Sequence, residues 1–573
     1  MAHFHIKKKK GRPYLYVREI SRVNGKPKVI SQVYVGSPDR VAQLAKGEKQ
    51  LARSLKTEEF GALWLAQQIN NDFCLESIVD SVVQTGAREK GPSVGEYFLY
   101  CVWNRMIKAV SKRRLGHWYD QTAIQQIRAV NTKELNSQRY WEKWERVNEE
   151  DLKKISNKFF RRLWDIQTPD ADCFLFDTTN YYTFMSSQTD SDLAQRGRNK
   201  EGRHNLRQVG LGLLVSRGLK LPLYYSVYPG NIHDSKHFKF IMDEMFGVIC
   251  SFNEAKENLT LVIDKGMNSE DNYSFIDKHK QMHFVTTYST YFAQEIAMTP
   301  LEEFKLVDTK KNRKLIKQER INECMLAYRT KGKYWGKERS VVVTYSPKTA
   351  QKKEYAFFSK ITKLRQELLE MQLKVRKKAP HWKNPETIKT RYNRLCASLH
   401  ISSTLFDIDF KKDKTSLKMS FRKNERNVKK KQSMFGKNII ITDNKDWSTG
   451  DIIEASLDRW QVEEKFRQSK NEDFVGVGPI RHWTDSKIRC HLFTCVVAMV
   501  YLRMIELKLS ANGVNRSAEE IMDDMQHLHS ILHISKQGKP LRQLETPNKT
   551  QTETLKAFGF YIDARGVLQK ISR

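Results

Sequence analysis

The stretch Cys173-Phe-Leu-Phe-Asp-Thr-Thr-Asn-Tyr-Tyr182 decides how this chain is read, together with Leu259-Thr-Leu-Val-Ile-Asp-Lys-Gly266. Each is a short apolar run of strand length that closes on an acid, Asp177 in the first and Asp264 in the second. A carboxylate at the carboxyl end of a buried strand is held rigidly and can point into a cleft. Between the two lie QVGLGLLVS (208–216) and LPLYYSVYPG (221–230), again of strand length, the latter ending in a Pro-Gly turn signal; HFVTTYS (283–289) is a fifth candidate strand. Strands followed by a helix-rich remainder point to a mixed α/β or an α+β core.

Outward from this core the texture changes. Residues 12–35 alternate as β-rich runs around Asn24-Gly25, a hairpin signal. A helical stretch is expected from about Asp39 through Leu51, Leu55 and Phe60–Leu63. Residues 93–164 read as helical and mix five Trp with many Lys and Arg, a pattern that suits either DNA contact or an ordinary helical core with a solvated basic face. Ile361, Leu364, Leu368, Met371 and Val375 form one helix stripe, broken by Pro380 and Pro385 and resumed by Ile388, Tyr392 and Leu395, which predicts a helical hairpin. Residues 410–437 carry eleven Lys and Arg against two acids, a DNA clamp or a surface loop. NIIITDN (438–444) returns to strand texture, and 450–506 is helical.

The chain of 573 residues has 100 Lys and Arg against 66 Asp and Glu, a formal charge of +34. That balance points to a polyanionic partner, nucleic acid before membrane. The longest apolar run, Leu492–Leu502, is 11 residues, against the ~20 that a bilayer needs. The N-terminal MAHFHIKKKK lacks the apolar stretch of a secretory signal, and the eight cysteines include no CxxC pair. A cytoplasmic protein is expected.

A third acid stands in DRWQVEEKFRQSK (458–470). At helical spacing Ser456, Arg459, Glu463, Arg467 and Lys470 share a face, with Val462 and Phe466 beside it as the packing stripe. One acid among cations suits a metal-and-phosphate site, Glu463 on the metal and Arg459 and Lys470 on phosphates. Taken singly, each Asp also reads as a turn or cap residue, and Glu463 as part of a solvated face.

In its strand-Asp, strand-Asp, helix-Glu order and in Arg459-x3-Glu463-x6-Lys470, the chain resembles bacterial insertion-sequence DDE transposases of the insertion-sequence-four type. Their signature opens on Tyr, where this chain has Ser456. FDTTNYY (176–182), VIDKGMNSEDN (262–272), RGRNKEGRHNLRQVGLGLLV (196–215) and LPLYYSVYPGNIHDS (221–235) resemble the family's segments as well.

The resemblance implies an α/β fold with an RNase H-like mixed-sheet core, interrupted by an insertion domain and preceded by a mainly helical DNA-binding region. It divides the chain into an N-terminal hairpin and helical region (1–92), a basic helical DNA-binding region (93–170), the core's first part (171–290), an insertion domain (291–440), the core's second part with the Glu helix (441–506) and a C-terminal helical region (507–573). It implies Asp177, Asp264 and Glu463 as catalytic ligands of two Mg²⁺, with Mn²⁺ a substitute. Ser456, Arg459, Arg467, Lys470, Arg203 and Arg207 are implied as DNA contacts, while His233 and Asp234 read as structural. The partners implied are double-stranded DNA at element ends and target, and a second copy in a synaptic homodimer, with no membrane, in a bacterial cytoplasm at the nucleoid. A metal-dependent nuclease, or a non-catalytic DNA-binding relic, is the alternative on the same fold.

Overall fold

The computed structural model describes residues 2–9, 12–23, 26–36, 52–83, 91–169, 173–198, 202–203, 205–252, 259–279, 281–412, 417–535 and 540–571. The chain forms two compact units, one of residues 1–146 and 501–573, the other of 147–500.

In the first unit Ala2–Lys9, Arg12–Val23 and Lys26–Gly36 make a three-stranded antiparallel sheet. The turn residues Asn24 and Gly25 lie outside the described residues, as does Lys10 of the N-terminal basic run. The helix expected from Asp39 is corrected over its last part. Ala52–Glu59 is a strand, paired antiparallel with His529–Ser535, and helix begins only at Gly61. Leu55 is exposed on that strand, so its spacing from Leu51 was not a core stripe. The C-terminal residues, expected to be helical, instead mix helices Ala518–Gln526 and Lys549–Ala557 with strands His529–Ser535, Pro540–Leu544, Phe560–Ile562 and Leu568–Lys570. Trp103, Trp118 and Trp144 are buried with Tyr97, Tyr119 and Tyr140, so these aromatics are core.

The second unit opens with helix α1 (Glu149–Ile166), capped by Asn148, whose side chain accepts from Asp151 N. The strands β1 (Cys173–Thr183), β2 (Arg207–Ser216) and β3 (Pro222–Pro229) then form an antiparallel meander. Gly210 and Gly212 let β2 pass under large rings: a Cβ at Gly210 would sit 2.2 Å from the ring of Tyr228, and one at Gly212 3.0 Å from that of Phe176.

Helix α2 (Asp234–Phe252) crosses to β4 (Leu259–Ile263), which pairs parallel with β1, and helix α3 (Glu270–Ile276) crosses to β5 (Met282–Tyr288), parallel with β4. Parallel neighbours need crossovers of this kind. Further on, β6 (Leu326–Tyr334) and β7 (Lys337–Tyr345) are an antiparallel pair within the stretch expected to be an insertion.

A module then leaves the sheet. It comprises α4 (Pro347–Arg376), α5 (Pro385–Ser398), β8 (Phe406–Lys412), β9 (Leu417–Lys423) and α6 (Glu425–Gln432). The stripe Ile361, Leu364, Leu368, Met371 and Val375 packs with Ile388, Tyr392, Met419 and Val428 into one apolar cluster. The basic run thus falls on a β-hairpin and a short helix, with 413–416 outside the described residues.

The chain returns as β10 (Lys437–Thr442), which inserts between β5 and β7. The sheet order is therefore β6-β7-β10-β5-β4-β1-β2-β3, with Lys305–Leu306 beside β6 and Gln195–Arg196 beside β2. The first strands of the expected insertion extend the core sheet, and the residues that stand apart from it are those of the module. Ser346 N donates to Gly436 O at 2.9 Å, so the module's two ends meet. Helices α7 (Thr449–Asp458), α8 (Trp460–Ser469) and α9 (Asp485–Ser510) complete the order.

Candidate functional site: an acidic centre at the carboxyl edge of the sheet

In the β1–β4 register Phe176 pairs with Ile263, so Asp177 and Asp264 are the next residues on two adjacent parallel strands, which lie about 4.8 Å apart. Alternation decides the side on which they project. The Phe176 ring lies 5.2 Å from that of Phe238 on α2, whereas the Tyr181 hydroxyl is hydrogen-bonded to Ser469 on α8. Asp177, four residues before Tyr181, therefore projects toward the α7–α8 side.

One detail departs from the sequence reading. Asp264 does close β4, and its Oδ2 accepts from Gly266 N at 3.3 Å at the turn that follows. Asp177 does not end its strand, because β1 runs on to Thr183 against β2. Asp177 instead stands where the β4 neighbour stops, which opens that flank of β1. Its Oδ1 accepts from Thr178 N at 2.8 Å.

The helix that carries the third acid is broken. Arg459 is the C-cap of α7 and the N-cap of α8 at once, with φ −53° and ψ −25°. Ser456 lies on α7, half-buried, while Glu463 and Arg467 lie on α8 and Lys470 caps its end. Glu463 belongs to the first turn of α8, where the positive end of the helix favours an acid.

From the junction Arg459 reaches both carboxylates. Its Nη1 donates to Asp264 Oδ1, and its Nη2 lies 3.0 Å from Glu463 Oε1. The Asp264 and Glu463 carboxylates thus converge on one positive group, with Asp177 on the adjoining strand. Hard carboxylate oxygens around a single cation are the donor set that Mg²⁺ or Mn²⁺ takes. As the side chains stand, among the described residues no three of His, Cys, Asp or Glu are arranged to hold a metal ion.

The remaining cations named from sequence are dispersed. Arg207 is engaged by the protein itself: Nη1 donates to Thr189 O at 2.7 Å and Nη2 to Ser187 O at 2.8 Å. That role depends on carbonyls eighteen and twenty residues upstream, which no local pattern reveals. The Arg203 guanidinium lies over the Tyr182 ring, 4.4 Å from its centre. Arg467 is exposed, 3.8 Å from Glu464. Asp234 accepts from Tyr228 at 3.0 Å, and His233 Nδ1 lies 3.0 Å from Ser235 Oγ, so both serve the turn into α2.

Sequence reasoning passed over His237. It is buried, stacks on Tyr228 with ring centres 3.7 Å apart, and lies 2.8 Å from Ser226 Oγ. Burial lowers its pKa to about 4, so it is neutral near pH 7.

Fold and site define an α/β protein with an acidic centre where the parallel strands of a mixed sheet end. The model of the transposase DDE domain family matches residues 170–502, more than half of the chain, and the chain belongs to that family. Among solved structures, a cryo-EM structure of the piggyBac transposase synaptic complex with hairpin DNA aligns over 82% of this chain and 82% of its own, at 8% identity and a TM-score of 0.35. No curated protein matches the chain. No helix among the described residues is long and apolar enough to cross a membrane.

Proposed function

We propose that this chain is an insertion-sequence DNA transposase that cuts phosphodiester bonds at the element's ends and joins the freed 3′-OH to target DNA. The observation that carries this reading is the convergence of Asp264 and Glu463 on Arg459, with Asp177 beside Asp264 in the strand register. The order of the first five strands supports an RNase H-like core: a three-stranded meander, β1 to β3, then β4 and β5 added parallel on the other side of β1. The spacing Arg459-x3-Glu463-x6-Lys470 supports the insertion-sequence-four type, with Ser456 where that type has Tyr.

Asp177, Asp264 and Glu463 are the residues that would hold two Mg²⁺. When bound, a pair of divalent ions stabilises both the attacking and the leaving oxygen of an in-line displacement. The chain's own part is positional. The two strands fix the Asp carboxylates side by side, and the first turn of α8 presents Glu463 across from them. Arg459 stands within reach of the same space, where its guanidinium can pass from the carboxylates to a phosphate oxygen of the scissile strand. Ser456 before it on α7, and Arg467 and Lys470 after it along α8, are further phosphate contacts, and Arg203 stacks on Tyr182 near the end of β1. The protein acts as a dimer on paired ends, in a bacterial cytoplasm.

The test is a labelled duplex carrying the element's own end, incubated with Mg²⁺ or Mn²⁺ and with wild type, Asp177→Asn or Glu463→Gln. Metal-dependent nicking followed by strand joining, lost in both variants while DNA binding survives, supports the reading. Nicking without joining would make the protein a nuclease, and binding without nicking a relic.

A further inference from the structure

The module that leaves the sheet between Ser346 and Gly436 holds a disproportionate share of the charge. Residues 347–435 carry 24 Lys and Arg against 8 Asp and Glu, within a chain whose net charge is +34. The concentration is sharpest where α4 turns into α5. Arg376, Lys377, Lys378 and Lys383 are all exposed there, and among the described residues none of the four is paired with a carboxylate.

The turn has a built shape. Lys378 and His381 take left-handed backbone conformations, with φ of 52° and 65°. Trp382 is covered by two cations, Lys374 at 5.4 Å and Arg391 at 4.5 Å from its ring centre, which fixes both charges in place. Six cations gathered at one tip repel each other in the free protein, and a polyphosphate backbone relieves that repulsion.

The tip's position follows from the strand directions. β7 is antiparallel to β10, which is antiparallel to β5. β7 therefore runs the same way as β4 and β5, and α4 leaves the sheet at the edge where Asp264 stands. Its 30 residues make a shaft of ~45 Å at ~1.5 Å per residue, the length of ~13 base pairs at ~3.4 Å each.

We propose that the tip of the α4–α5 hairpin is a contact for the backbone of double-stranded DNA, remote from the acidic centre and independent of base sequence. It rests on the transposase reading for the identity of the polyanion, but binding is measured apart from cutting.

The experiment compares the full-length protein with a variant carrying Arg376→Gln, Lys377→Gln, Lys378→Gln and Lys383→Gln. A control removes four exposed cations elsewhere: Lys549→Gln, Lys556→Gln, Arg565→Gln and Lys570→Gln. Affinity for a mixed-sequence duplex of about 40 base pairs is followed by anisotropy between about 50 and 200 mM salt, and the log–log slope is expected to flatten by roughly 3 in the tip variant alone. Equal melting temperatures show that the variants fold. An unchanged slope, equal flattening in the control, or a loss seen on single-stranded RNA but not on the duplex overturns the proposal. If nicking at the element's end is absent in every protein while the slope difference persists, the transposase chemistry fails and the tip contact stands.

Discussion

Arg459 joins Asp264, on the end of a strand, to Glu463, on the first turn of a helix, through the two terminal nitrogens of one guanidinium. Its place at the α7–α8 junction makes this possible, since a residue one turn earlier or later would not meet both acids.

The bridge should matter far more to chemistry than to folding. The side chains of Asp264 and Glu463 are 29% and 53% exposed, and ion pairs of that exposure contribute about 0–1 kcal/mol. Arg459→Ala is expected to leave the melting temperature within a few degrees of wild type and to lower end cleavage about 100-fold, the order seen when one preorganised donor to a developing charge is removed. A large fall in melting temperature would instead make Arg459 a structural residue.

Gly210 should not tolerate even a methyl group. Its Cβ would lie 2.2 Å from the Tyr228 ring, and that ring is pinned by its stack on His237 and its bond to Asp234. Gly210→Ala is expected to destabilise the second unit by about 1–3 kcal/mol, the usual cost of overpacking a filled core. Urea denaturation followed by a probe within residues 147–500 measures it.

Arg339 and Asp277 form a doubly hydrogen-bonded pair, with bonds of 2.9 and 2.7 Å, and Arg339 is almost fully buried. Asp277→Asn strands the buried Arg339 charge and should cost about 3–5 kcal/mol, whereas Arg339→Gln leaves Asp277 with Lys337 Nζ 3.4 Å away and should cost less. Replacing both should cost less than the sum of the single changes. A double-mutant cycle by denaturant titration reads the difference directly.

Two histidines give stability opposite dependences on pH. His237 titrates near 4 when folded against an ordinary value of 6.5, so the unfolded chain binds its proton first. Stability is then lost as pH falls from about 6.5 toward 4, by up to about 3 kcal/mol. His283 is raised by its hydrogen bond to Asp443; its contribution is complete below 6.5 and is lost as pH rises through the folded value. His237→Gln should flatten the acid limb of a plot of stability against pH, and His283→Gln the limb above 6.5.

Strands β1 to β5 and β10 were legible because each is an apolar run bounded by turn residues, and the α4–α5 stripe because its eight residues keep steps of three and four within each helix; β6 and β7 were not. The pairing of Ala52–Glu59 with His529–Ser535 was not legible, since it joins segments more than 450 residues apart and a strand with exposed Leu55 carries no core signal. The acids were visible as types and positions. What the sequence could not display was their surroundings: that β1 outruns β4 beyond Asp177, that the Glu helix breaks at Arg459, and that Arg207 is tied to the carbonyls of Thr189 and Ser187. Those facts depend on where distant segments stop, and no local pattern records that.

β7 and β10 are already antiparallel neighbours, with Tyr345 opposite Lys437. Seen along the sheet they are an ordinary hairpin whose connection, residues 346–436, happens to be 91 residues long. Because Ser346 and Gly436 hold hands across the neck, a two-residue turn could replace the whole connection without moving a strand. The charged module is therefore a detachable cassette: an ancestral sheet could have acquired it in a single insertion, and a descendant could exchange it for another while keeping the acidic centre intact.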